Sequence, residues 1–198
     1  LIADKNTAAT SCPYCGNPTI VPAQFSGALK PDYVIPFKMN KDEAIKKLSD
    51  FYGGKPLLPN AFKERNHIEE IKGVYVPFWL YDGTADVDMA FRGTISHSHR
   101  EGDYTVTVTE NYSILRQGTV QFNRVPADGS SKMPDEFMDA IEPYNYKEMI
   151  PFEMGYMTGY LADRYDVTAE QDRNRVNTRM RTSSADKIRE TVRGYHTL

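Results

Sequence analysis

The amino-acid sequence predicts an α+β fold, because segments with strand periodicity come first and segments with helical periodicity follow them. Apolar and polar side chains alternate over residues 84–95 and 103–115, which is typical of antiparallel strands with one face in water. Apolar residues recur at helical spacing after residue 168. We therefore expect an antiparallel β-meander packed with several helices.

The first elements of this fold are predicted from local signals. The run Tyr33–Phe37 ends in the Pro36-Phe37 pair and predicts an edge strand. Asn40 and Glu43 form a capping-box pattern, which predicts a helix that ends at Gly53-Gly54. A second capping pattern, Asn66 with Glu69, predicts a short helix that ends at Gly73.

The central part of the chain predicts the meander. Val74–Tyr81 is apolar on both faces and predicts a buried strand bent at Pro77. The strand over 84–95 points Ala85, Val87 and Met89 inward. The next strand, over 103–115, shifts phase near Asn111, which predicts a bulge, and a third strand follows a turn at Gln117-Gly118. Helices are predicted over 135–141, 152–165 and 168–194.

Composition limits the class of protein. Of the 198 residues, 40% are hydrophobic and 26% are charged, and the net charge is −3, all ordinary for a globular chain. No apolar stretch reaches the roughly 20 residues that a membrane-spanning helix needs, and no signal peptide is visible. Two cysteines do not make a disulfide scaffold. We therefore expect a cytoplasmic protein whose chain carries no membrane span.

Cys12-Pro13-Tyr14-Cys15-Gly16 is the strongest chemical signal in the sequence. Two cysteines separated by two residues in a tight turn direct both sulfurs at one zinc ion. The same tetrapeptide occurs in glutaredoxins, but there a helix begins at the first cysteine and lowers its pKa. Here Gly16-Asn17-Pro18 prevents a helix, which argues against the redox site. The pattern favours a zinc knuckle formed by Cys12 and Cys15, and the alternative is two incidental thiols.

A single knuckle supplies two ligands, whereas structural zinc is bound by four. No second cysteine pair follows Cys15, and eleven residues precede Cys12. We expect the chain to be a fragment that begins inside a zinc ribbon, with the first pair upstream of Leu1. Residues 1–30 then form a partial zinc-ribbon knob, and residues 31–198 form the α+β domain. In the fragment, zinc is either absent or shared between two chains, as in a zinc-bridged homodimer.

Several segments resemble a bacterial family of proteins that contain a transcription-factor-IIB-type zinc ribbon. The resemblance is carried by residues 10–18, 31–33, 73–79, 128–133 and 159–163. It implies a structural zinc, a first cysteine pair upstream and a longer C-terminal part, which in some members spans the membrane. It implies no established activity.

Other residues offer weaker hypotheses. His97 and His99, expected in a turn between two strands near Asp103, could ligate a metal and give a metal-dependent enzyme. The alternative without a function is an exposed, polar hairpin tip. Asp82, Asp86 and Asp88 could act as acids or bases, but antiparallel alternation favours the solvated face of a sheet.

The last predicted helix is rich in arginine and has an apolar side. Arg173, Arg175, Arg179 and Arg181 could contact nucleic acid, and the alternative is a solvated helix surface. Because we find no convergent catalytic groups, the leading hypothesis is a non-enzymatic interaction module with an unknown protein partner. Nucleic-acid binding comes second, and the enzyme that uses His97 and His99 comes third.

Overall fold

The computed structural model describes most of the chain and divides it into two compact units. The described residues are 7–11, 18–20, 30–53, 55 and 71–197. Unit 1 takes its residues from 1–79 and 128–168, and unit 2 from 80–127 and 169–198. Helices and largely antiparallel sheets occur together, which confirms the α+β class.

Eight strands and three α-helices make up the described part of the chain. The strands are β1 (Thr7–Ser11), β2 (Pro18–Ile20), β3 (Tyr33–Val34), β4 (Val74–Tyr75), β5 (Phe78–Glu101), β6 (Tyr104–Asp128), β7 (Ile150–Pro151) and β8 (Leu161–Asp163). The helices are α1 (Lys41–Gly53), α2 (Asp135–Ala140) and α3 (Ala169–Arg189). The chain also forms short 3₁₀ turns at Tyr146–Glu148 and Met154–Met157.

Unit 1 is built on a four-stranded sheet with the order β2-β1-β8-β4. Strand β1 pairs antiparallel with β2 and with β8, and β4 pairs parallel with β8. A second, two-stranded sheet joins β3 to β7. The core contains Ala8 and Ala9 of β1, together with Val34, Phe152, Met157 and Ala162.

Strand β1 contributes to this core although it lies in the region expected to be a separate knob. Ala8 and Ala9 are fully buried, and Ala9 lies opposite Ala162 of β8. The zinc-ribbon knob over residues 1–30 stays a prediction, because most of those residues lie outside the described part.

The predicted capping box of α1 is confirmed. The Asn40 side chain accepts a hydrogen bond from the Glu43 amide at 2.9 Å, and the Glu43 carboxylate accepts one from the Asn40 amide at 3.2 Å. The helix then ends at Gly53. The second predicted helix, from Asn66, lies mostly outside the described residues.

Nearly all of β5 and β6 lies in unit 2, where the two strands form one long antiparallel hairpin. The connection is the two-residue loop Gly102-Asp103, and Gly102 adopts a φ of +62°. Glycine tolerates a left-handed conformation at the first loop position, which type II′ turns require. Strand β5 begins directly after Pro77, where the sequence predicted a bend.

The hairpin replaces the predicted three-stranded meander. Hydroxyl or carboxylate contacts join Asp86 to Thr119 at 2.7 Å and Ser98 to Thr107 at 2.8 Å. Twelve residues separate these contacts on each strand, so the register is unbroken between them. The predicted turn at Gln117-Gly118 and the predicted bulge at Asn111 were therefore wrong.

Gly118 and Arg124 explain the irregular sequence of β6. A Cβ built at Gly118 would lie 3.3 Å from the Ile188 side chain, so this glycine allows α3 to approach the sheet. Arg124 has a φ of +56°, and its amide donates to the Asp82 carboxylate at 2.8 Å. This one-residue irregularity ends the alternation: the more buried residues of β6 before Arg124 are even-numbered, whereas residues 126–128 after it are all buried.

Helix α3 confirms the last predicted helix, with an end at Arg189 instead of Gly194. Its buried residues follow one another at intervals of four or eight positions and form one stripe: Asp172, Val176, Ser184 and Ile188. Val192 continues the stripe beyond the helix. No described helix is long and apolar enough to span a bilayer.

The predicted helix over 152–165 was wrong. Phe152 follows β7, a 3₁₀ turn takes its place at Met154–Met157, and β8 occupies Leu161–Asp163. Gly159 adopts a φ of +87°, which interrupts helical geometry. Pairing of β8 with both β1 and β4 then decides the conformation, since tertiary contacts override weak local periodicity.

Candidate interaction surface

Helix α3 covers only part of the hairpin. A Cβ built at Gly83 would lie 2.9 Å from the Met180 sulfur, and Gly118 lies beneath Ile188. At the first residue of α3, the Ala169 carbonyl accepts a hydrogen bond from the Tyr81 hydroxyl at 2.7 Å. We call residues 83–93 and 112–122 the covered part of the hairpin.

A short edge segment, residues 195–197, completes the covered part. A Cβ at Gly93 would lie 2.6 Å from the Tyr195 ring, and that ring packs edge-on against Tyr112 with a centroid distance of 5.5 Å. Thr197 pairs antiparallel with Thr94 of β5. The Ser96 amide donates to Nδ1 of His196 at 3.0 Å, so a side chain extends the pairing by one bond.

Beyond this point lies the hairpin end, which we define as residues 97–110. Every residue of the hairpin end is exposed except Val106, which is half-buried. Tyr104 is 78% exposed and Val108 is 47% exposed. Because alternate residues of a strand share a face, Tyr104, Val106 and Val108 form one apolar row on a part of β6 that no described helix covers.

The register also fixes which backbone groups of β6 point away from β5. Thr94 uses its amide and carbonyl on the edge segment, so it lies in a pair whose backbone groups point outward. At every second position of both strands, the backbone amide and carbonyl likewise point away from the partner strand. The amides and carbonyls of Thr105, Thr107 and Thr109 therefore face the outer edge of β6, and no described strand pairs with that edge.

The charged residues near the hairpin end lie on either side of the apolar row in sequence. The Tyr112 hydroxyl donates to the Glu110 carboxylate at 2.6 Å, and this hydrogen bond raises the pKa of Tyr112. Arg100 donates to the Gly102 carbonyl at 3.2 Å. Residues 104–109 themselves carry no charge and no proline. The outer edge of β6 therefore lacks the features that usually protect strand edges.

His97 and His99 lie on β5, not in the turn where the sequence placed them. Both are exposed, and the ring of His97 lies 6.3 Å from that of His196, centroid to centroid. Among the described residues, no three His, Cys, Asp or Glu side chains lie close enough to share a metal ion. The geometry therefore supplies two histidines here without the further ligands that a catalytic metal uses.

The four arginines of the nucleic-acid hypothesis differ in burial and in their contacts. Arg179 donates to the Pro126 carbonyl at 2.7 Å and is partly buried, so it holds α3 against β6. Arg173 is paired with Glu170 at 2.8 Å, one turn earlier on the helix. Arg175 is half-buried, and Arg181 is exposed. The nucleic-acid hypothesis for these arginines stays a prediction.

The three aspartates of β5 lie on the solvated face, as antiparallel alternation indicated. Asp82 accepts from the Arg124 amide, Asp86 from Thr119, and Asp88 from Gln117 at 2.9 Å. Each carboxylate is thus bonded to β6. These contacts fix the register of the hairpin.

Cys12 and Cys15 lie outside the described residues, but the strands that flank them are described. Ser11 lies opposite Pro18, and Ala9 lies opposite Ile20, so β1 and β2 form an antiparallel pair. The zinc knuckle formed by Cys12 and Cys15 therefore stays a prediction.

Unit 1 contains a polar loop over residues 128–132, whose first three residues are buried. Asp128 and Ser130 are 2% exposed, and the Gly129 carbonyl accepts from the amides of Asp166 and Val167. Ser131 donates twice to Asp166, and these bonds hold the pKa of that carboxyl below its ordinary value. Burial raises the pKa of the nearby Tyr144 to about 12. Asp166 is therefore ionised and Tyr144 neutral near pH 7, so neither is poised to exchange a proton there.

Sequence reasoning missed the edge segment and the hairpin end. The edge segment carries no strand pattern of its own, since three residues are too few. The hairpin end did carry a signal, the alternation Tyr104-Thr105-Val106-Thr107-Val108-Thr109 without a charge. That pattern was assigned to a sheet with an apolar core face, and only the position of α3 shows that this face is uncovered.

A comparison with curated proteins finds one similar sequence in Bacillus subtilis (strain 168). Uncharacterized protein YdjG is 35% identical over 176 residues, which cover 89% of this chain and 52% of that protein. The chain therefore spans about half the length of this relative. No protein-family model matches the sequence, and no solved structure is significantly similar.

Proposed function

We propose that the chain is a non-enzymatic protein-interaction module that binds its partner through the hairpin end. The observation that carries the proposal is the coincidence of an apolar row with an open strand edge. Tyr104, Val106 and Val108 lie on one face, and the outward amides of the neighbouring threonines lie along the edge. Strand addition uses both features, because backbone bonds supply affinity and alternate side chains supply specificity.

The stability of the hairpin also supports this proposal. A two-stranded hairpin without further packing is marginally stable in water. The hairpin end extends roughly 20 Å beyond the edge segment, and its side chains are almost all exposed. A strand added along β6 would give it a third strand and cover part of the apolar row.

A photo-crosslinking amino acid at position 104 tests the proposal in the native host cells. The matched control is the same amino acid at Phe137, which is 64% exposed and lies outside the hairpin end. We expect a protein adduct from position 104 and none from position 137. Equal adducts from both positions, or none from position 104, would contradict the proposal.

The proposal includes a structural zinc clip at Cys12 and Cys15, which ties β1 to β2. The fully buried Ala8 and Ala9 of β1 are next to this connection in sequence, so loss of the clip would loosen the core of unit 1. Elemental analysis of the wild type and of Cys12→Ser/Cys15→Ser tests this part. We expect about half a zinc per chain, lost in the variant, because a knuckle supplies two of four ligands. Zinc retained in the variant would contradict the clip.

A further inference from the structure

We propose that the hairpin end binds a second copy of this chain, through antiparallel pairing of β6 with β6. This inference rests on the proposed function and names the partner. It starts from the difference between the two edges of the hairpin. The edge of β5 is occupied at Thr94 by the edge segment and capped at Ser96 by His196. The edge of β6 has no described partner strand.

Residues 104–109 have the composition of a strand that pairs. Tyrosine, valine and threonine favour strands, and the segment contains no lysine, proline or glycine. Monomeric proteins usually protect an exposed edge with a charge, a proline or a bulge. The one bulge of β6 is at Arg124, far from the hairpin end.

The geometry of β6 restricts how two copies can pair. Outward amides must lie opposite outward carbonyls, so threonines 105, 107 and 109 of one copy face odd-numbered residues of the other. One such register places Val106 opposite itself on the two-fold axis. Tyr104 then lies opposite Val108, and Thr105 lies opposite Thr107, pairs that favour antiparallel sheets.

The positions of the charged side chains are compatible with the register centred on Val106. Asp103 lies opposite Thr109, and Glu110 lies opposite Gly102, so no like charges face each other. A shift of the axis to Thr107 would place Glu110 opposite Tyr104 and separate Tyr104 from Val108. The pairing thus joins the two apolar rows into one four-stranded sheet with a common apolar face.

The interface is small, since only about six residues of each copy take part. Such an area lies at the low end for specific interfaces. We therefore expect a weak dimer in equilibrium with the monomer. Light scattering should give a mass that rises with concentration from 22.5 kDa toward twice that value.

Two proline variants separate the β6 edge from general damage to the hairpin. Thr107→Pro removes an outward amide of β6, and Ser98→Pro removes an outward amide of β5 at the opposite position. Both variants lose the same Ser98–Thr107 hydroxyl contact, so each controls for the other. Both variants are made in the Cys12→Ser/Cys15→Ser background, because a zinc ion shared between two chains would itself raise the mass. We expect the rise in mass to disappear in Thr107→Pro and to persist in Ser98→Pro. A wild type that stays monomeric, or loss of association in both variants or in neither, would overturn the inference.

A disulfide tests the register without relying on a proline variant. In the Cys12→Ser/Cys15→Ser background, Val106→Cys should form a disulfide-linked dimer on mild oxidation, because residues on the axis of a non-hydrogen-bonded pair lie about 4.5 Å apart. Position 109 lies opposite Asp103 in this register, so Thr109→Cys should form at least tenfold less disulfide-linked dimer. Equal amounts would overturn the register. A monomeric wild type that still gives a foreign adduct at position 104 in cells would reject the second copy and keep the proposed function.

Discussion

The covered part and the hairpin end belong to the same two strands, yet they differ in what lies on their inward faces. In the covered part, Ile114 is buried, and glycines at positions 83, 93 and 118 let α3 and Tyr195 approach the sheet closely. In the hairpin end, the same alternation continues, but Tyr104 and Val108 are exposed. One sequence pattern thus produces a core in one half and an open apolar row in the other.

This difference shows that alternation in a strand predicts which side chains share a face. It does not predict whether another element packs on that face. The cover depends on where the packing helix begins and ends. Helix α3 spans 21 residues, roughly 30 Å, whereas β5 and β6 extend to roughly 80 Å. The helix is too short to cover the strands, and the excess length is the hairpin end.

The largest expected effect comes from a matched pair of valines. Val176 of α3 is 1% exposed, whereas Val108 lies on the open row. Val176→Ala should lower the free energy of unfolding by about 2 kcal/mol, because it removes buried methyl groups and leaves a cavity. Val108→Ala should change it by less than about 0.5 kcal/mol. Urea denaturation of dilute protein measures both, and equal losses would abolish the distinction between the two parts.

A smaller loss is expected from adding one methyl group to the covered part. Gly93→Ala should cost about 1.5 kcal/mol, because the new Cβ meets the Tyr195 ring at 2.6 Å and the Ile114 side chain at 2.8 Å. Gly118→Ala is the control, since its Cβ meets only the flexible end of Ile188 at 3.3 Å. Thermal denaturation compares them. If Gly93→Ala is the more stable of the two, Tyr195 does not pack on the sheet as described.

The edge segment at the border of the two parts should give a more local effect. His196→Ala removes the acceptor of the Ser96 amide and should cost about 1 kcal/mol or less, as expected for one exposed hydrogen bond. Hydrogen exchange of the Thr94 amide, which donates to Thr197, should become faster. His97→Ala serves as the control and should leave that amide unchanged. Faster exchange in both variants would show that His196 has no special role.

The smallest effect is expected within the hairpin end itself. Thr107→Val keeps the shape of the side chain but removes its hydroxyl contact to Ser98. Because both hydroxyls are exposed to water, the free energy of unfolding should change by less than about 0.5 kcal/mol. Chemical denaturation of dilute protein provides the value. A loss above 1 kcal/mol would mean that the hairpin end is as tightly built as the covered part.

Much of the fold could be predicted where a short signal determines a local structure. The capping box at Asn40 and Glu43, the break at Pro77 and the apolar stripe of α3 all formed as expected. The aspartates of β5 were correctly placed on the solvated face. In each case the physical cause acts within a few residues of the signal.

The rest depended on contacts that are distant in sequence. Gly118 resembles a turn residue, but its role is to admit Ile188, 70 positions later in the chain. Residues 161–163 follow a helical pattern, yet they pair with β1 at the other end of the chain. The hairpin end could not be located from sequence, because its exposure depends on where α3 stops covering the sheet.

Hydrogen exchange along the outer edge of β6 tests the central claim most directly. The outward amides of Thr105, Thr107 and Thr109 should exchange several-fold faster on dilution, because dilution releases the second copy from the hairpin end. The outward amides of Thr119 and Gln121, in the covered part of the same strand, should exchange at a rate independent of concentration. Two results would contradict the account: exchange rates that do not change with concentration at any of the five amides, or rates that change equally at all five.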